Sequence, residues 1–430
     1  MNGFLVAAPH SGSGKTTVTL GLLRALRNRG VKLAPAKAGP DYIDPAFHEA
    51  ASGEPCINLD PWAMRPELLH ALANDHAGDD RLLIVEGMMG LFDGAADGKG
   101  SAADLAVLLG LPIVFVVDCG RMAHSIAALV SGFIGFREDV EIAGVILNRV
   151  GSARHETMLR EALDARGVAV LGVVHRQDEL YLPSRHLGLV QAGEHEDIEH
   201  FFADAAFSMS VGLDLDRLAT LTVQGRGSNR NPTRLPPLGQ RIAVARDEAF
   251  AFSYPHLLAG WREQGAEISF FSPLADEIPS GDSDSVYLPG GYPELHAGKI
   301  AAAGRFLGGL RAAAEAGVQV YGECGGYMVL GDELIDGEGE HHKMAGLLPV
   351  TTSYAKRQRH LGYRRLKPLA AAPWDLPLAA HEFHYSRLVS EGAGERLFSA
   401  SDSRGDPLGE AGLRRGSVSG SYMHVIDRAA

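Results

Sequence analysis

The sequence predicts an α/β protein of two domains, the first of them built on a parallel sheet. In the first half, short runs of Val, Ile and Leu alternate with longer helical stretches, which is typical of a parallel sheet covered on both faces. After a stretch without periodicity, a second series of the same kind begins. A chain of 430 residues, 46% of them hydrophobic and 22% charged, is long enough for two or three globular domains.

The predicted elements follow from these patterns. The predicted strands of the first half are residues 4–8, 32–36, 82–86, 112–118, 142–148 and 168–173, and the predicted helices are 16–29, 125–136 and 155–166. Residues 222–240 contain Gly, Asn and Pro without periodicity and are predicted to be a linker, so the domains are expected at 1–221 and 241–430. The second half has predicted strands at 242–245, 268–271, 286–288 and 318–322, with further strands towards its end, and a predicted helix at 301–316.

Charge and cysteine content exclude several classes of protein. With 40 basic and 53 acidic residues, the net charge is −13, which argues against nucleic acid as the main partner. No apolar run approaches the roughly 18–20 residues that span a bilayer, and the N-terminal residues do not have the pattern of a signal peptide. Cys56, Cys119 and Cys324 are far apart, which excludes a disulfide scaffold and predicts a protein of the reducing cytoplasm.

A glycine-rich loop between the first predicted strand and helix predicts a phosphate-binding site. Its backbone N–H groups and the helix N-terminus can hold a triphosphate, while Lys15 neutralises phosphate charge. Pro9 replaces the first glycine of the usual pattern, and the alternative is a glycine-rich turn without a ligand. The residues predicted to bind ATP are Gly12, Ser13, Gly14, Lys15, Thr16 and Thr17.

Hard oxygen ligands near this loop predict a magnesium site. Thr16, Asp41 and Glu86 are the predicted ligands, because Asp41 follows one strand and Glu86 ends another. Asp44 and Asp93 are either substrate contacts or ordinary cap and turn residues, and Tyr42 is a further candidate substrate contact. Asn148 ends the fifth strand, where its amide either binds the adenine edge or forms a turn.

Cys324 has the surroundings of a nucleophile. Glycines lie two residues to either side of it at a predicted strand-to-helix turn, which is the thiol counterpart of a nucleophile elbow. A helix N-terminus is expected to lower the pKa of its thiol. His424 is the predicted base, and the amides of Gly290 and Gly291 are the predicted oxyanion donors. The alternatives are a small buried hydrophobe for Cys324 and a core histidine for His424; Cys56 and Cys119 are expected to be structural.

Several motifs together are similar to those of one family. Residues 381–384 (HEFH) lack the spacing of two zinc ligands on a helix, so a metalloprotease is rejected. The motifs instead resemble those of the cobyrinic or hydrogenobyrinic acid a,c-diamide synthases of cobalamin biosynthesis, and the resemblance covers essentially the whole chain. The segments that carry it are 39–45, 185–189, 245–250, 271–274, 288–295, 323–326 and 381–386.

The resemblance implies a dethiobiotin-synthetase-type domain followed by a class I glutamine amidotransferase domain. It also implies amidation of the a and c acetate carboxylates of a corrinoid through an acyl phosphate, with ATP, Mg²⁺ and ammonia from glutamine. Ile426 occupies the position of the usual triad glutamate, so a Cys–His dyad is expected. The open alternatives are a different tetrapyrrole substrate, as in cobyric acid synthase or nickel-sirohydrochlorin a,c-diamide synthase, and a nucleotide-dependent switch with an inert second domain. Whether the macrocycle holds cobalt and whether the chain forms a homodimer are also open.

A polycarboxylate substrate poses a problem for an acidic protein, because binding it needs a local basic patch. Residues 353–365 are the densest basic stretch, and Lys356 and Arg359 are its candidate contacts. Two tyrosines in it, Tyr354 and Tyr363, are expected to lie against the macrocycle. We expect this stretch to help in docking the substrate or the first domain; the alternative is a solvated hairpin or a strand at a domain interface.

Overall fold

The computed structural model describes residues 2–177, 180, 198–223, 232–369 and 373–429. The chain forms two compact units, one of Met1–Trp62 with Pro66–Pro232 and one of Ala63–Arg65 with Thr233–Ala430. The predicted linker lies partly outside the described residues, since these omit 224–231, and the motif at 185–189 lies wholly outside them. No helix among the described residues is long and apolar enough to span a membrane.

A seven-stranded, wholly parallel sheet forms the centre of the first unit. Its strands are β1 (Asn2–Ala7), β2 (Leu33–Ala38), β3 (Ile57–Leu59), β4 (Leu82–Glu86), β5 (Ile113–Asp118), β6 (Ile142–Val150) and β7 (Val170–His175). Their order is β3-β2-β4-β1-β5-β6-β7. Because β1 and β4 are neighbouring parallel strands, the loops at their carboxyl ends meet at one edge of the sheet.

Six helices connect these parallel strands, and two more follow the last of them. The connecting helices are α1 (Lys15–Asn28), α2 (Asp44–Ser52), α3 (Pro66–Ala77), α4 (Ala102–Leu109), α5 (Ser125–Phe136) and α6 (Ala153–Asp164), and the last two are α7 (Ile198–Gly212) and α8 (Leu215–Ala219). The six predicted strands and three predicted helices are confirmed to within two residues at each end. The three-residue β3 was not predicted, because so short an apolar run gives no periodic signal.

The second unit is built on a mixed ten-stranded sheet and a four-stranded sheet, with helices α9 (Pro255–Glu263), α10 (Ala297–Ala302), α11 (Gly304–Glu315) and α12 (Gly325–Leu330). The ten-stranded sheet runs β21-β16-β15-β18-β19-β20-β11-β10-β8-β9, and the smaller one runs β13-β12-β14-β17. The strands are β8 (Arg241–Ala245), β9 (Glu267–Phe271), β10 (Ser285–Leu288), β11 (Gln319–Glu323), β12 (Glu333–Ile335), β13 (His341–Lys343), β14 (Val350–Ser353), β15 (His360–Pro368), β16 (Leu378–His384), β17 (Arg387–Glu391), β18 (Glu395–Ser401), β19 (Pro407–Arg415), β20 (Val418–Ser421) and β21 (Met423–Arg428).

The five strands from β20 to β9 are parallel and place loop residues at one edge of this sheet. The four predicted strands of the second half are confirmed within this group. The helix predicted for 301–316 is confirmed over Gly304–Glu315 as α11, but its predicted start is wrong, because Ala303, with φ −75° and ψ 73°, separates α10 from α11. The alanine-rich composition did not reveal this break, because Ala303 itself is a good helix former.

Candidate functional site

The glycine-rich loop between β1 and α1 has the predicted geometry. Gly12 and Gly14 both have φ 84°, a conformation that glycine adopts at little cost. Gly14 precedes α1, and Lys15 begins it. The Lys15 side chain is buried, and its Nζ donates to the carbonyl of Met89 at 3.0 Å. Burial lowers the pKa of Lys15.

Asn148 supports the glycine-rich loop from the neighbouring strand β6. Its Nδ2 donates to the Ser13 carbonyl at 2.9 Å, and its Oδ1 accepts from the Arg149 N–H at 3.0 Å. A methyl group at Gly14 would lie 2.2 Å from Nδ2 of Asn148, so this close packing requires glycine. Both polar atoms of the amide therefore bond within the protein, and the predicted contact of Asn148 with adenine stays a prediction.

Glu86 is the centre of a buried polar cluster at the same sheet edge. Its Oε1 accepts from the Thr16 hydroxyl at 2.7 Å and from Lys37 Nζ at 3.0 Å, and its Oε2 lies 2.7 Å from His48 Nε2. Burial favours the neutral acid, but Lys37 and His48 outweigh it and hold the pKa of Glu86 well below its usual range. Thr16 and Glu86, two of the three predicted magnesium ligands, are thus in direct contact.

Asp41, the third predicted ligand, and Asp44 lie in the turn before α2. One carboxylate oxygen of Asp41 accepts from the backbone N–H groups of Ile43 and Asp44 at 2.8 and 3.0 Å. Burial and then the charge of Asp44 raise the pKa of Asp41 to about 6. Asp44 begins α2 and forms an ion pair with Lys37, so it is more than a cap residue. Tyr42, which lies between the two aspartates in the sequence, is half-buried.

Asp93, a predicted substrate contact, and Thr17, a predicted ATP contact, are less buried than Glu86. Asp93 is exposed, and its Oδ2 accepts from the N–H of Gly90 at 2.9 Å, which fits the alternative of a turn residue. Thr17 is half-buried in the first turn of α1.

Lys37 and His48 belong to this cluster, although the sequence did not single them out. Lys37 is a cross-strand neighbour of Glu86 in the β2–β4 ladder. The sequence could have indicated Lys37, because it lies in a six-residue strand that is otherwise apolar. An unpaired buried ammonium is costly, so a lysine in such a strand needs an acidic partner. His48 follows Asp44 by four residues and so lies on the same face of α2.

The strand-to-helix turn at Cys324 has the geometry of a nucleophile elbow. Cys324 lies between β11 and α12 with φ 48° and ψ −105°, an unfavourable conformation for a residue with a side chain. A methyl group at Gly322 would meet Leu330 at 2.7 Å, and one at Gly326 would meet the Leu288 carbonyl at 2.0 Å. Both flanking glycines are therefore required by close packing around the turn.

Gly290 brings the predicted nucleophile and the predicted base together. A methyl group at Gly290 would lie 2.3 Å from Cε1 of His424 and 3.2 Å from Cβ of Cys324. His424 is fully buried in β21, where it is the cross-strand neighbour of His381 in β16. A methyl group at Gly325, the first residue of α12, would lie 3.0 Å from the backbone nitrogen of Gly291. The Gly291 amide is therefore close to the N-terminus of α12.

The charge state of this site differs from the expectation. Burial, followed by the charge of Glu294, raises the pKa of the Cys324 thiol above its usual value, although the Gly325 N–H acts in the opposite direction. The expected lowering of this pKa is therefore wrong, because burial outweighs the end of a six-residue helix. Burial and then His381 lower the pKa of His424 to about 3. The free site thus pairs a neutral thiol with a neutral imidazole.

The position of the usual triad glutamate, two residues after His424, is occupied by Ile426, and the acids near His424 come from other strands. Ile426 is fully buried and apolar. Glu323 accepts from the Val425 N–H at 3.2 Å and from two tyrosine hydroxyls, which fixes β21 to β11. On β16, Glu382 forms an ion pair with Arg364 at 2.7 Å and a hydrogen bond with His384 at 3.1 Å.

The HEFH segment is part of strand β16, so it is not the helical zinc motif. His384 stacks on His360 with ring centroids 4.6 Å apart.

The basic stretch is only partly available to a ligand. Lys356 and Arg359 are exposed in the loop between β14 and β15. Tyr354 and Tyr363 are 5% and 7% exposed, which leaves no ring face for a macrocycle, so their predicted role is wrong. Arg364 is engaged by Glu382.

Comparisons with known proteins match a family model to each of the two parts of the chain. Residues 4–190 match the CobQ/CobB/MinD/ParA nucleotide binding domain, and residues 241–429 match the CobB/CobQ-like glutamine amidotransferase domain. Proteins named hydrogenobyrinate a,c-diamide synthase from Brucella anthropi, a Sinorhizobium species and Mesorhizobium japonicum are 64%, 61% and 50% identical to this chain. The matches cover 99–100% of this chain and 98–99% of theirs. The chain therefore belongs to the hydrogenobyrinate a,c-diamide synthase family of glutamine amidotransferases.

Proposed function

We propose that this protein converts hydrogenobyrinic acid, the macrocycle without cobalt, to its a,c-diamide with ATP and glutamine. The names of relatives 50–64% identical over nearly the whole chain support this substrate over the cobalt-containing one. The observation that carries the glutaminase part is the convergence of Cys324, His424 and Gly290 in one buried site. The contact of Thr16, at the end of the glycine-rich loop, with the buried carboxylate of Glu86 supports the ATP-dependent part.

In the glutaminase reaction, His424 accepts the thiol proton as the Cys324 sulfur attacks the side-chain amide carbon of glutamine. A C–S bond forms, and the amides of Gly290 and Gly291 donate to the oxyanion. Collapse of this intermediate returns the proton from His424 to the leaving nitrogen and releases ammonia. Water then hydrolyses the thioester to glutamate and regenerates the thiol.

In the synthetase reaction, an acetate carboxylate of the macrocycle attacks the γ-phosphorus of ATP, and ADP leaves. Lys15 and the backbone N–H groups of residues 12–17 hold the phosphates and neutralise the charge that develops on them. Ammonia attacks the acyl phosphate, forms the C–N bond and displaces inorganic phosphate. Repetition at the second acetate gives the diamide.

The residues beside the loop fit Mg²⁺. The Thr16 hydroxyl and a Glu86 oxygen, 2.7 Å apart, with the Asp41 carboxylate nearby, are the hard oxygen donors that this ion prefers. The carboxylates of Glu86, Asp41 and Asp44 lie near the ammonium groups of Lys15 and Lys37, so the cluster supplies acidic oxygens for a cation as well as cations for phosphate. When bound, Mg²⁺ neutralises charge on the transferring phosphoryl group.

For the macrocycle, we propose that exposed Lys356 and Arg359 attract its carboxylates, and that Tyr42, Asp44 and Asp93 contact the substrate or the acyl phosphate. A charged loop raises the local concentration of a polyanion although the whole protein is acidic. A homodimer, a cytoplasmic location and the absence of nucleic-acid and membrane partners stay predictions.

The substrate is tested by mass spectrometry of the products from hydrogenobyrinic acid and from cobyrinic acid, each with ATP and glutamine. We expect replacement of OH by NH₂ at two positions of the metal-free macrocycle, with much slower conversion of the cobalt compound. Preferential conversion of the cobalt compound, or a single amidation as end product, would contradict the proposal.

A further inference from the structure

The carboxyl group of Glu294 is a buried titratable group that has no task in the proposed mechanism. Glu294 lies in the short 3-10 turn Pro293–Leu295, which begins two residues after Gly291. Its Oε2 atom is buried and has no hydrogen-bond partner among the residues that the structure describes. Buried polar atoms are nearly always hydrogen-bonded, so this oxygen needs a donor from outside the described residues, such as a ligand or a water molecule.

Two contacts place Glu294 beside the nucleophile. A methyl group at Gly325 would lie 2.8 Å from Cδ of Pro293, so the turn that carries Glu294 packs against the first residue of α12. The Tyr354 hydroxyl interacts with the Glu294 carboxyl group and lies 3.6 Å from Sδ of Met328, one helical turn after Cys324. Its charge also acts on the thiol of Cys324, so the carboxyl group lies near the proposed nucleophile.

The negative charge of Glu294 disfavours the thiolate form of Cys324 when no glutamine is bound. Its carboxylate is the second cause, after burial, of the raised pKa of the Cys324 thiol. Burial also raises the pKa of Glu294 itself to about 7, although Arg357, on an exposed loop, acts in the opposite direction. A cation placed against Glu294 would stabilise its carboxylate and remove the repulsion that opposes a thiolate.

We propose that Glu294 binds the α-ammonium group of the substrate glutamine. Of the polar groups of glutamine, the α-ammonium is the cation, and its N–H groups match an oxygen that can only accept. Binding at this position would also couple recognition to reaction, because neutralising Glu294 lowers the cost of forming the Cys324 thiolate. This inference rests on the proposed role of Cys324 as the glutaminase nucleophile.

Glutaramate, which is glutamine with hydrogen in place of the α-amino group, provides the direct test. Ammonia release from L-glutamine and from glutaramate is measured with the full-length wild type and Glu294→Gln. We expect Glu294→Gln to lower kcat/KM for L-glutamine by about 100-fold, as for loss of one partner of a buried charge pair. We expect little change for glutaramate, so the preference for L-glutamine collapses. An equal loss for both substrates, or an unchanged preference, would overturn the inference.

Three further variants make the result unambiguous. Glu294→Asp keeps the charge and should keep most of the preference for L-glutamine, whereas Glu338→Gln changes an exposed glutamate and should alter nothing. Amidation with ammonium chloride reports folding of every variant. Cys324→Ser separates the two proposals: if it still hydrolyses L-glutamine, the proposed function fails. If it does not, and Glu294→Gln keeps the preference, only the present inference fails.

A second readout follows the thiol itself. Alkylation of the Cys324 peptide by iodoacetamide, measured by mass spectrometry in the absence of glutamine, should be faster in Glu294→Gln than in the wild type. A merely structural role of Glu294 would not produce a faster reaction together with a lost substrate preference. An unchanged or slower alkylation rate would contradict the electrostatic part of the inference.

Discussion

A methyl group at Gly290 tests whether Cys324 and His424 form one site. In Gly290→Ala, this methyl group would lie 2.3 Å from Cε1 of His424 and 3.2 Å from Cβ of Cys324. Because carbon atoms pack at about 3.5 Å or more, the imidazole or the turn must move by about 1 Å. A displacement of this size at a reacting centre costs about 100-fold in rate, or about 2.7 kcal/mol of activation free energy. We therefore expect glutamine-dependent kcat/KM to fall by about 100-fold.

Two assays and one control variant isolate this effect. Glutamate formation measures the glutaminase, and amide formation from ammonium chloride measures the synthetase, which should be unchanged. Gly308→Ala in α11 is the matched control, since its methyl group would have no heavy atom within 4 Å. Its activity should be normal and its stability equal or raised by up to about 1 kcal/mol. A glutaminase rate for Gly290→Ala within about threefold of the wild type would refute the reasoning.

Three more predictions concern other parts of the chain. Lys37→Met leaves Glu86 without its ammonium partner in a buried site, so the free energy of unfolding in urea should fall by about 3–5 kcal/mol; an unchanged urea midpoint would contradict this. The pKa of His424 is about 3 in the folded chain and about 6.5 when unfolded, so stability is lost as the pH falls between these values. The loss is about 2 kcal/mol at pH 5, and it should be absent in His424→Asn; equal pH dependence of urea unfolding in both proteins would disprove it. The double variant Lys356→Ala and Arg359→Ala should raise the KM for the macrocycle several-fold at unchanged glutaminase turnover; an unchanged KM would remove the basic loop from substrate binding.

Features encoded by local pattern could be predicted from the sequence. The apolar runs predicted six of the seven strands of the parallel sheet and the four strands β8 to β11 of the ten-stranded sheet. The glycines around Cys324 indicated a turn that only small residues permit. The joint presence of motifs along the whole chain indicated the family, which the relatives confirm.

Features that depend on distant residues meeting in space could not be predicted. Lys37 and His48 contact Glu86 only because β2, β4 and α2 bring these distant residues together in the fold. The charge state of Cys324 was predicted wrongly, because the local helix N-terminus was visible in the sequence whereas burial and the position of Glu294 were not. The buried rings of Tyr354 and Tyr363 illustrate the same limit.

The central claim is that Cys324 generates ammonia and that the first unit uses ammonia to form amides. Cys324→Ser tests it when amide formation on hydrogenobyrinic acid is measured with ATP and either glutamine or ammonium chloride. We expect no product with glutamine and a wild-type rate with ammonium chloride. Full activity of the variant with glutamine would contradict the role of Cys324, and loss of activity with both nitrogen sources would contradict the separation of the two reactions.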